Sequence, residues 1–446
     1  MEINKSYDEI NERIKSKKAV VLTAGEMKLF IKEQGIKKAA EKVDVVTTGT
    51  FGAMCSSGAF LNLGHDDPPL KMENILLNGV TAYGGIAAVD TFIGATQASK
   101  TKGYNYGGAH VIEDLVKRKP VILEASGTPT SCYPGKNVKT EITLDDINEA
   151  ILLNPRNAYQ RYNAASNSTM DTIFTYMGKL LPNYGNVTYS GAGELSPINN
   201  DPDFETIGIG TRIFLCGTQG YIINQGTQHN PGSGFSTLMV MGNLKEMDPE
   251  FIRAAVMEKY GCTLFIGIGV PIPILNENIA RKTGILDKDI LTDIIDYGIP
   301  SRGRPAIKSK ISYEELKSGT VELNGKKVKC ASISSLYYAK IITEKLKSSI
   351  ESGNFLLSKP VEQLNTKNII KPLHRKEPAE KKTIEARKYD VVTFEPERCT
   401  KCELCISLCP FDAIKMDIAN RIMINYEICT ECGNCLEFCP MRCFKV

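Results

Sequence analysis

Apolar residues recur at the i, i+3, i+4 spacing of an amphipathic helix in YDEINERIKS (7–16) and in MKLFIKEQGIKKAAEKV (27–43). A short continuous apolar run precedes the second pattern, AVVLTA, and another follows it, VDVVTT; both have the character of buried strands. The alternation continues to residue 357, so residues 1–357 are expected to form one large α/β (or α+β) catalytic domain. Further strands are expected in PVILEAS, TIGIGTRIFLC and TLFIGIGV, each ending near Gly or Pro, where loops at strand ends commonly build sites. In VELNGKKVKC, Asn324-Gly325 sits between two alternating arms, a hairpin signal that sets Cys330 on a strand face as a buried thiol. Residues 332–351 read as an amphipathic helix stopped at Gly353.

The pattern changes after residue 357. Residues 358–388 hold few large apolar side chains, three prolines and nine Lys or Arg against four Asp or Glu, and read as an exposed basic linker. Residues 389–446 are set apart by cysteine: nine of the 14 in the chain lie between Cys399 and Cys443. CTKCELCISLCP and, thirty residues on, CTECGNCLEFCP each follow C-x2-C-x2-C-x3-C-P, a spacing that wraps three thiolates around one face of a cubane. In two-cluster ferredoxins the fourth cysteine of each run ligates the other cluster. The tail is therefore expected to be a small bacterial-type ferredoxin-like α+β domain holding two 4Fe-4S clusters. Cys399, Cys402, Cys405 and Cys439 would hold one, and Cys429, Cys432, Cys435 and Cys409 the other. A zinc knot would need no such Pro-terminated triplet. Cys443 is left over and is expected to pack beneath a cluster.

Composition narrows the classes. With 42% hydrophobic and 24% charged residues the 446-residue chain is globular, and its net charge of +3 gives no basic footprint for a nucleic-acid partner. The charged start, MEINKSYDEINERIKSKKAV, has no apolar secretory core, and no apolar run approaches the roughly 18 residues that span a bilayer. A cytoplasmic protein with no membrane partner is expected.

Neither TIGIGTR nor GAGELSP completes G-x-G-x-x-G, and GIGVPIP puts prolines where a phosphate-binding helix would start. What stands out instead is a set of Gly-rich turns bearing reactive side chains. TTGTFGAMCSSGAFLNLGHDDPP carries Cys55 and His65, SGTPTSCYPG carries Cys132, GYNYGGAHVIEDL carries His110, and GTQGYIINQGTQHNPGSG carries His229. Exposed backbone N–H groups in such turns can stabilise a thiolate. Cys216 and Cys262 lie in apolar strand patterns and are expected to be structural.

VVTTGTFGAMCSSGAFLNLGH, PTSCYPG, NPRNAYQRYNAASN, GIGTRIFLCGTQGY and QGTQHNP together resemble the homocysteine biosynthesis family of anaerobic archaea and bacteria, over roughly residues 1–357. The resemblance implies transfer of sulfur to L-aspartate semialdehyde, from a sulfide or persulfide donor, to give L-homocysteine. It also implies that the family's two functional cysteines fall on Cys55 and Cys132. Many relatives carry paired cystathionine-synthase-type nucleotide-binding domains at the C-terminus; here a ferredoxin unit stands in that place. An external ferredoxin or reductase and a second copy of the chain stay open as partners.

Turning an aldehyde and sulfide into a thiol and water consumes two electrons and two protons, so a reductant must enter. The expectation is a persulfide on one of Cys55 and Cys132, the pair ending as a disulfide that electrons from the fused ferredoxin unit reduce. For the substrate carboxylate a planar guanidinium is the natural partner. Arg156, Arg161 and Arg212 lie in the family-like stretches, with Arg212 favoured, and His65 and His229 complete the substrate-binding candidates. The alternative is another ferredoxin-linked oxidoreductase in which Cys55 and Cys132 help hold a third iron-sulfur cluster.

Overall fold

Helix Tyr7–Lys15 starts at a capping box, in which the Ser6 side chain accepts from the Glu9 N–H and the Glu9 carboxylate accepts from the Ser6 N–H. The pattern read over 27–43 forms two helices, Ala24–Gln34 and Ile36–Lys42, because Gly35 between them takes φ +81°, a conformation that only glycine adopts at no cost. Beneath them Val21–Thr23 pairs in parallel with Val45–Thr47, which pairs antiparallel with Pro271–Pro273.

These elements belong to a computed structural model that describes residues 3–375 and 391–446. The chain divides into one unit over Met1–Ile370 and another over Lys371–Val446. In the first, most strands join a single large sheet with the spatial order Asn137–Ile142, Val121–Ser126, Asn74–Leu77, Val80–Tyr83, Asp90–Gly94, Gly58–Asn62, Glu149–Asn157, Leu238–Asn243, Thr218–Gln225, Arg212–Leu215, Gly261–Gly269 and Ile252–Met257. Thr50–Ala53 adds to Gly261–Gly269, so the sheet curls back towards the strand that follows in sequence, Gly58–Asn62. A second sheet of six strands runs from Ala306–Ser312 through Leu291–Asp296, Ala164–Ser166, Asn186–Tyr189 and Lys326–Ser332 to Thr320–Leu323. Most pairings are antiparallel, so the mixed α/β unit is richer in strands than the helix-strand alternation foretells.

The expected helix at 332–351 forms as Leu336–Glu351 and lies on Thr50–Ala53 and Gly261–Gly269. The glycines of GIGVPIP serve this contact, not a phosphate: a Cβ on Gly267 would sit 2.9 Å from Ile342 Cδ1, and one on Gly269 2.9 Å from Ile342 Cγ2. Helix Gly108–Val116 buries Val111, Ile112 and Leu115 against the other face of the large sheet. The hairpin at Asn324-Gly325 forms, with Cys330 buried.

Residues 358–370 of the expected linker lie on the first unit. Glu362–Gln363 pairs with Gly208–Ile209, and the Val361 N–H donates to the Ile209 carbonyl at 2.8 Å. Residues 376–388 of that linker, with 389 and 390, fall outside the described residues. The second unit has a small core of Val392, Ile414, Ile422, Cys443 and Phe444, two two-stranded ribbons and two short helices. Among the described residues no helix is long and apolar enough to cross a membrane.

Candidate active site and cluster sites

Cys55 occupies the turn Met54–Ser57 between strands Thr50–Ala53 and Gly58–Asn62. The Ser57 N–H and hydroxyl both donate to the Met54 carbonyl, at 3.1 and 2.6 Å, and fix the turn. The half-buried Cys55 Sγ lies 3.3 Å from Thr263 Oγ1, a fully buried residue of Gly261–Gly269.

Opposite this turn the strand Glu149–Asn157 breaks register between Asn154 and Asn157. Both asparagines support the break. Asn154 Nδ2 donates to Ser57 Oγ at 2.7 Å while its Oδ1 accepts from the Arg156 N–H at 3.1 Å, and Asn157 Oδ1 accepts from the Ala158 N–H at 2.7 Å. A bulge of this kind re-aims a side chain. Here it presents Arg156 to Cys55: burial pushes the thiol above its ordinary range, and Thr263, the Cys55 backbone N–H and the Arg156 charge pull against it. The resting group is therefore a protonated thiol, not the poised thiolate that an open Gly-rich turn would give.

Aromatic rings enclose the site. Tyr159 and Tyr260 both feel a charge on Cys55. Tyr159 packs against Tyr162 and Phe235 at 4.9 and 5.5 Å between centroids, and Tyr260 lies 6.0 Å from Tyr176. Behind them the Tyr162 hydroxyl donates to that of Tyr176 at 2.9 Å, and Tyr176 and Tyr297 share a hydrogen bond of 2.7 Å. Burial keeps the hydroxyls of Tyr159, Tyr162 and Tyr297 protonated, that of Tyr159 pushed up to about 12.

Cys132 lies elsewhere. Its exposed loop, closed by reciprocal backbone hydrogen bonds between Thr130 and Tyr133, is fastened where the Gly135 N–H donates to the Pro69 carbonyl at 3.0 Å. Exposed His65 stacks on Tyr133 at 5.9 Å. Tyr133 also lines a cleft of about 1260 Å³ together with Lys71, Tyr83, Lys100 and Glu124. Ser126, Asn74, Tyr83, Phe92 and Phe60 are successive partners across the large sheet. With strands about 4.8 Å apart, four spacings put the two turns roughly 19 Å apart across the sheet. Cys132 follows Ser126 while Cys55 precedes Phe60 on a strand running the same way, so the thiols also leave at opposite ends. A disulfide needs Cα atoms within about 7 Å. One chain in this conformation therefore forms neither the expected Cys55–Cys132 disulfide nor a third cluster ligated by both.

The other candidates make contacts of their own. Arg212 donates from Nη1 to the Leu356 carbonyl at 3.0 Å, and its N–H donates to Ser358 Oγ at 2.7 Å. His229 is 1% exposed; Nε2 donates to the Asn365 carbonyl at 2.8 Å, which leaves Nδ1 to accept from the Thr237 N–H at 3.3 Å. Both residues thus hold the strap at 356–370. Arg161 is exposed, with φ +48°, and lines a separate hollow with Asn230, Asp293 and Lys310. His110 accepts at Nδ1 from the Gly107 N–H at 3.2 Å and stacks on Tyr106. Sequence reasoning missed Thr263, Tyr159 and Tyr260, which carry no local motif. Arg156 had a signal, a Pro between asparagines inside a strand pattern, which marks a bulge.

In the second unit one void is lined by Cys399, Cys402, Cys405 and Cys439, and another by Cys409, Cys429, Cys432 and Cys435. These are the crossed sets expected from the spacing. The thiols surround a void instead of converging on a point, as a cubane requires. Cys443 is buried against the first of these voids, its N–H donating to Cys439 Sγ at 3.3 Å.

Residues 19–357 match the family described as homocysteine biosynthesis enzyme, sulfur-incorporation, and residues 391–440 match the 4Fe-4S dicluster domain. The chain is 55% identical over 371 residues to the L-aspartate semialdehyde sulfurtransferase of Methanosarcina acetivorans, covering 83% of this chain and 74% of that one. It is 56% identical over 377 residues to the enzyme of the same name from Methanocaldococcus jannaschii, covering 81% and 74%. An uncharacterized protein of Methanothermobacter thermautotrophicus is 31% identical over 330 residues, covering 72% and 73%. No solved structure matches.

Proposed function

The chain belongs to the family of sulfur-incorporating homocysteine biosynthesis enzymes, and from that premise we propose that it converts L-aspartate semialdehyde to L-homocysteine by reductive sulfur transfer at Cys55. The observation that carries this reading is the half-buried Cys55 thiol beside Tyr159, Tyr260 and a cationic side chain that has no counter-ion among the described residues. A persulfide donor passes its outer sulfur to Cys55 (R′–S–SH + Enz–SH → R′–SH + Enz–S–SH), the Cys55 persulfide attacks the aldehyde carbon, and the tyrosine hydroxyls, held protonated, donate to the oxygen that leaves as water. With hydrosulfide as the sulfur source the balance is RCHO + HS⁻ + 2e⁻ + 3H⁺ → RCH2SH + H2O. With a persulfide on the enzyme it is RCHO + Enz–S–SH + 4e⁻ + 4H⁺ → RCH2SH + Enz–SH + H2O. Cys132, exposed and remote, suits acceptance of sulfur from outside the chain.

The eight cysteines around the two voids of the second unit would hold two 4Fe-4S clusters, which supply electrons one at a time. If such clusters lie near −400 mV and the mixed disulfide between Cys55 and the product sulfur near −270 mV, the gap of about 130 mV corresponds to about 6 kcal/mol for the two electrons that cleave it, so that cleavage runs downhill. The test uses the full chain, purified without oxygen and supplied with L-aspartate semialdehyde, a persulfide donor and a low-potential reductant. Homocysteine should form, and Cys55→Ser should abolish it while iron content stays at about eight per chain. Undiminished homocysteine formation by Cys55→Ser removes Cys55 from the chemistry.

A further inference from the structure

Several buried polar atoms beside Cys55 have no partner. Ser56 Oγ, next to Cys55 in the turn, Arg156 Nε and Asn157 Nδ2 on the bulge are all shielded from solvent and make no hydrogen bond. Asn157 is fully buried. Among the described residues no hydrogen bond or ion pair satisfies the Arg156 guanidinium. Ser236 Oγ and Thr237 Oγ1 are also unpaired, in the segment that follows Phe235 and leads into the partner strand of the bulge. Native proteins seldom leave such atoms unsatisfied, since each costs on the order of 1–3 kcal/mol. Three unpaired donors in the Cys55 turn and the bulge opposite it, one of them cationic, describe a seat for an anion.

We infer that Arg156, with Ser56 and Asn157, binds the α-carboxylate of an amino-acid substrate and so sets its aldehyde carbon against Cys55. The inference rests on the reading of Cys55 given above. The dimensions suit it: three C–C bonds of about 1.5 Å separate the carboxylate carbon of aspartate semialdehyde from its aldehyde carbon, a span of about 4 Å when extended. A guanidinium close enough to act on the thiol is thus close enough to hold the far end of the same small molecule. The surrounding tyrosine rings exclude water, which strengthens the ionic hydrogen bonds of the seat. The carboxylate would supply the acceptors that these donors lack.

Two measurements on the full chain test this. The first compares aspartate semialdehyde with propanal, an aldehyde of similar reach without a carboxylate. Arg156→Met should lower the ratio of the two kcat/KM values about ten- to a hundred-fold, the loss expected for a charge-assisted hydrogen bond, and Arg156→Lys should restore part of it. If Arg156 serves the thiol alone, both aldehydes suffer equally and the ratio stays put. The second needs no turnover. Cys55 should be labelled by iodoacetate in preference to iodoacetamide by about tenfold relative to exposed Cys132 in the same molecule, read by peptide mass spectrometry, and Arg156→Met should erase that preference. Equal ratios at Cys55 and Cys132 in the unaltered protein, or a preference that survives Arg156→Met, overturn the seat. A chain that makes no homocysteine yet keeps the labelling preference would overturn the proposed reaction and leave the seat standing.

Discussion

Replacing His229 by Phe distinguishes a latch from a substrate-binding residue. Phe keeps the ring, and with it the contact to Phe204 at 5.2 Å, but removes the Nε2 donor to the Asn365 carbonyl and the Nδ1 acceptor for the Thr237 N–H. Thr237 stays buried in either state of the strap, so its stranded N–H lowers global stability by about 1–3 kcal/mol. The Asn365 carbonyl regains water whenever the strap lifts, so its lost partner appears as easier opening. The same 1–3 kcal/mol then raises the opening equilibrium about five- to 150-fold. Hydrogen exchange should show this at the amides that the closed strap protects, those of Val361, bonded to the Ile209 carbonyl, and Gly232, bonded to the Asn368 carbonyl. Acid should mimic the substitution. Burial holds the imidazole below its ordinary value, so the closed strap favours neutral His229 and its contribution is lost as pH falls below about 6.5. The Michaelis constant for the aldehyde should stay within about twofold, because no ring nitrogen of His229 is free to meet substrate. Unchanged strap exchange together with a tenfold rise in that constant would refute the latch and return His229 to the substrate site.

Three further outcomes follow from named contacts. Arg212→Met should leave the Michaelis constant for the aldehyde within about twofold and speed exchange in the strap, since its guanidinium meets the Leu356 carbonyl; a tenfold rise in the constant with unchanged exchange contradicts that placement. Labelling of Cys55 by neutral iodoacetamide should rise with pH through a midpoint above the ordinary thiol value of about 8.5, because burial disfavours the thiolate, and Arg156→Met should move the midpoint higher still. Cys399→Ser combined with Cys409→Ser should remove iron from both clusters, since the two residues line different voids; retention of about four irons per chain would show that each run serves its own cluster.

The parts of the fold that sequence reveals are those whose signal is local. The helix Tyr7–Lys15, the turn at Asn324-Gly325 and the helix Leu336–Glu351 each depend on residues within a few positions of one another, and each forms as expected. The crossed cysteine sets depend on two copies of one short spacing, and the voids follow it. The strand count was less legible: segments such as Thr218–Gln225 and Glu149–Asn157 carry polar residues and a proline that blur the period of two, and they become strands because long-range partners complete their ladders. Arg212 illustrates the same limit. Its neighbours in sequence suggest a Gly-rich strand end that could meet a substrate, but its partner at Leu356 lies 144 positions away.

Cys55 and Cys132 look alike in sequence, each a lone thiol among Gly, Ser, Thr and Pro, and what separates them is the order of strands in the large sheet. The turn of Cys55 joins two strands that both sit beside long buried neighbours, so Thr263 and the rings of Tyr159 and Tyr260 close over it. The loop of Cys132 joins Val121–Ser126 to Asn137–Ile142, the last strand on its side of the sheet, so there is no further strand to cover it. One thiol therefore ends in a pocket dry enough to push its titration upward, and the other on the surface. The bulge completes the difference. Pro155 has no N–H to give the ladder and Asn154 supplies an acceptor for the Arg156 N–H, so the strand opposite Cys55 cannot continue flat, and a cation emerges where the pocket needs one. Two turns of similar composition thus take on different chemistry, Cys55 through a contact with Thr263, 208 positions away in sequence, and Cys132 through the edge strand that directly follows its loop.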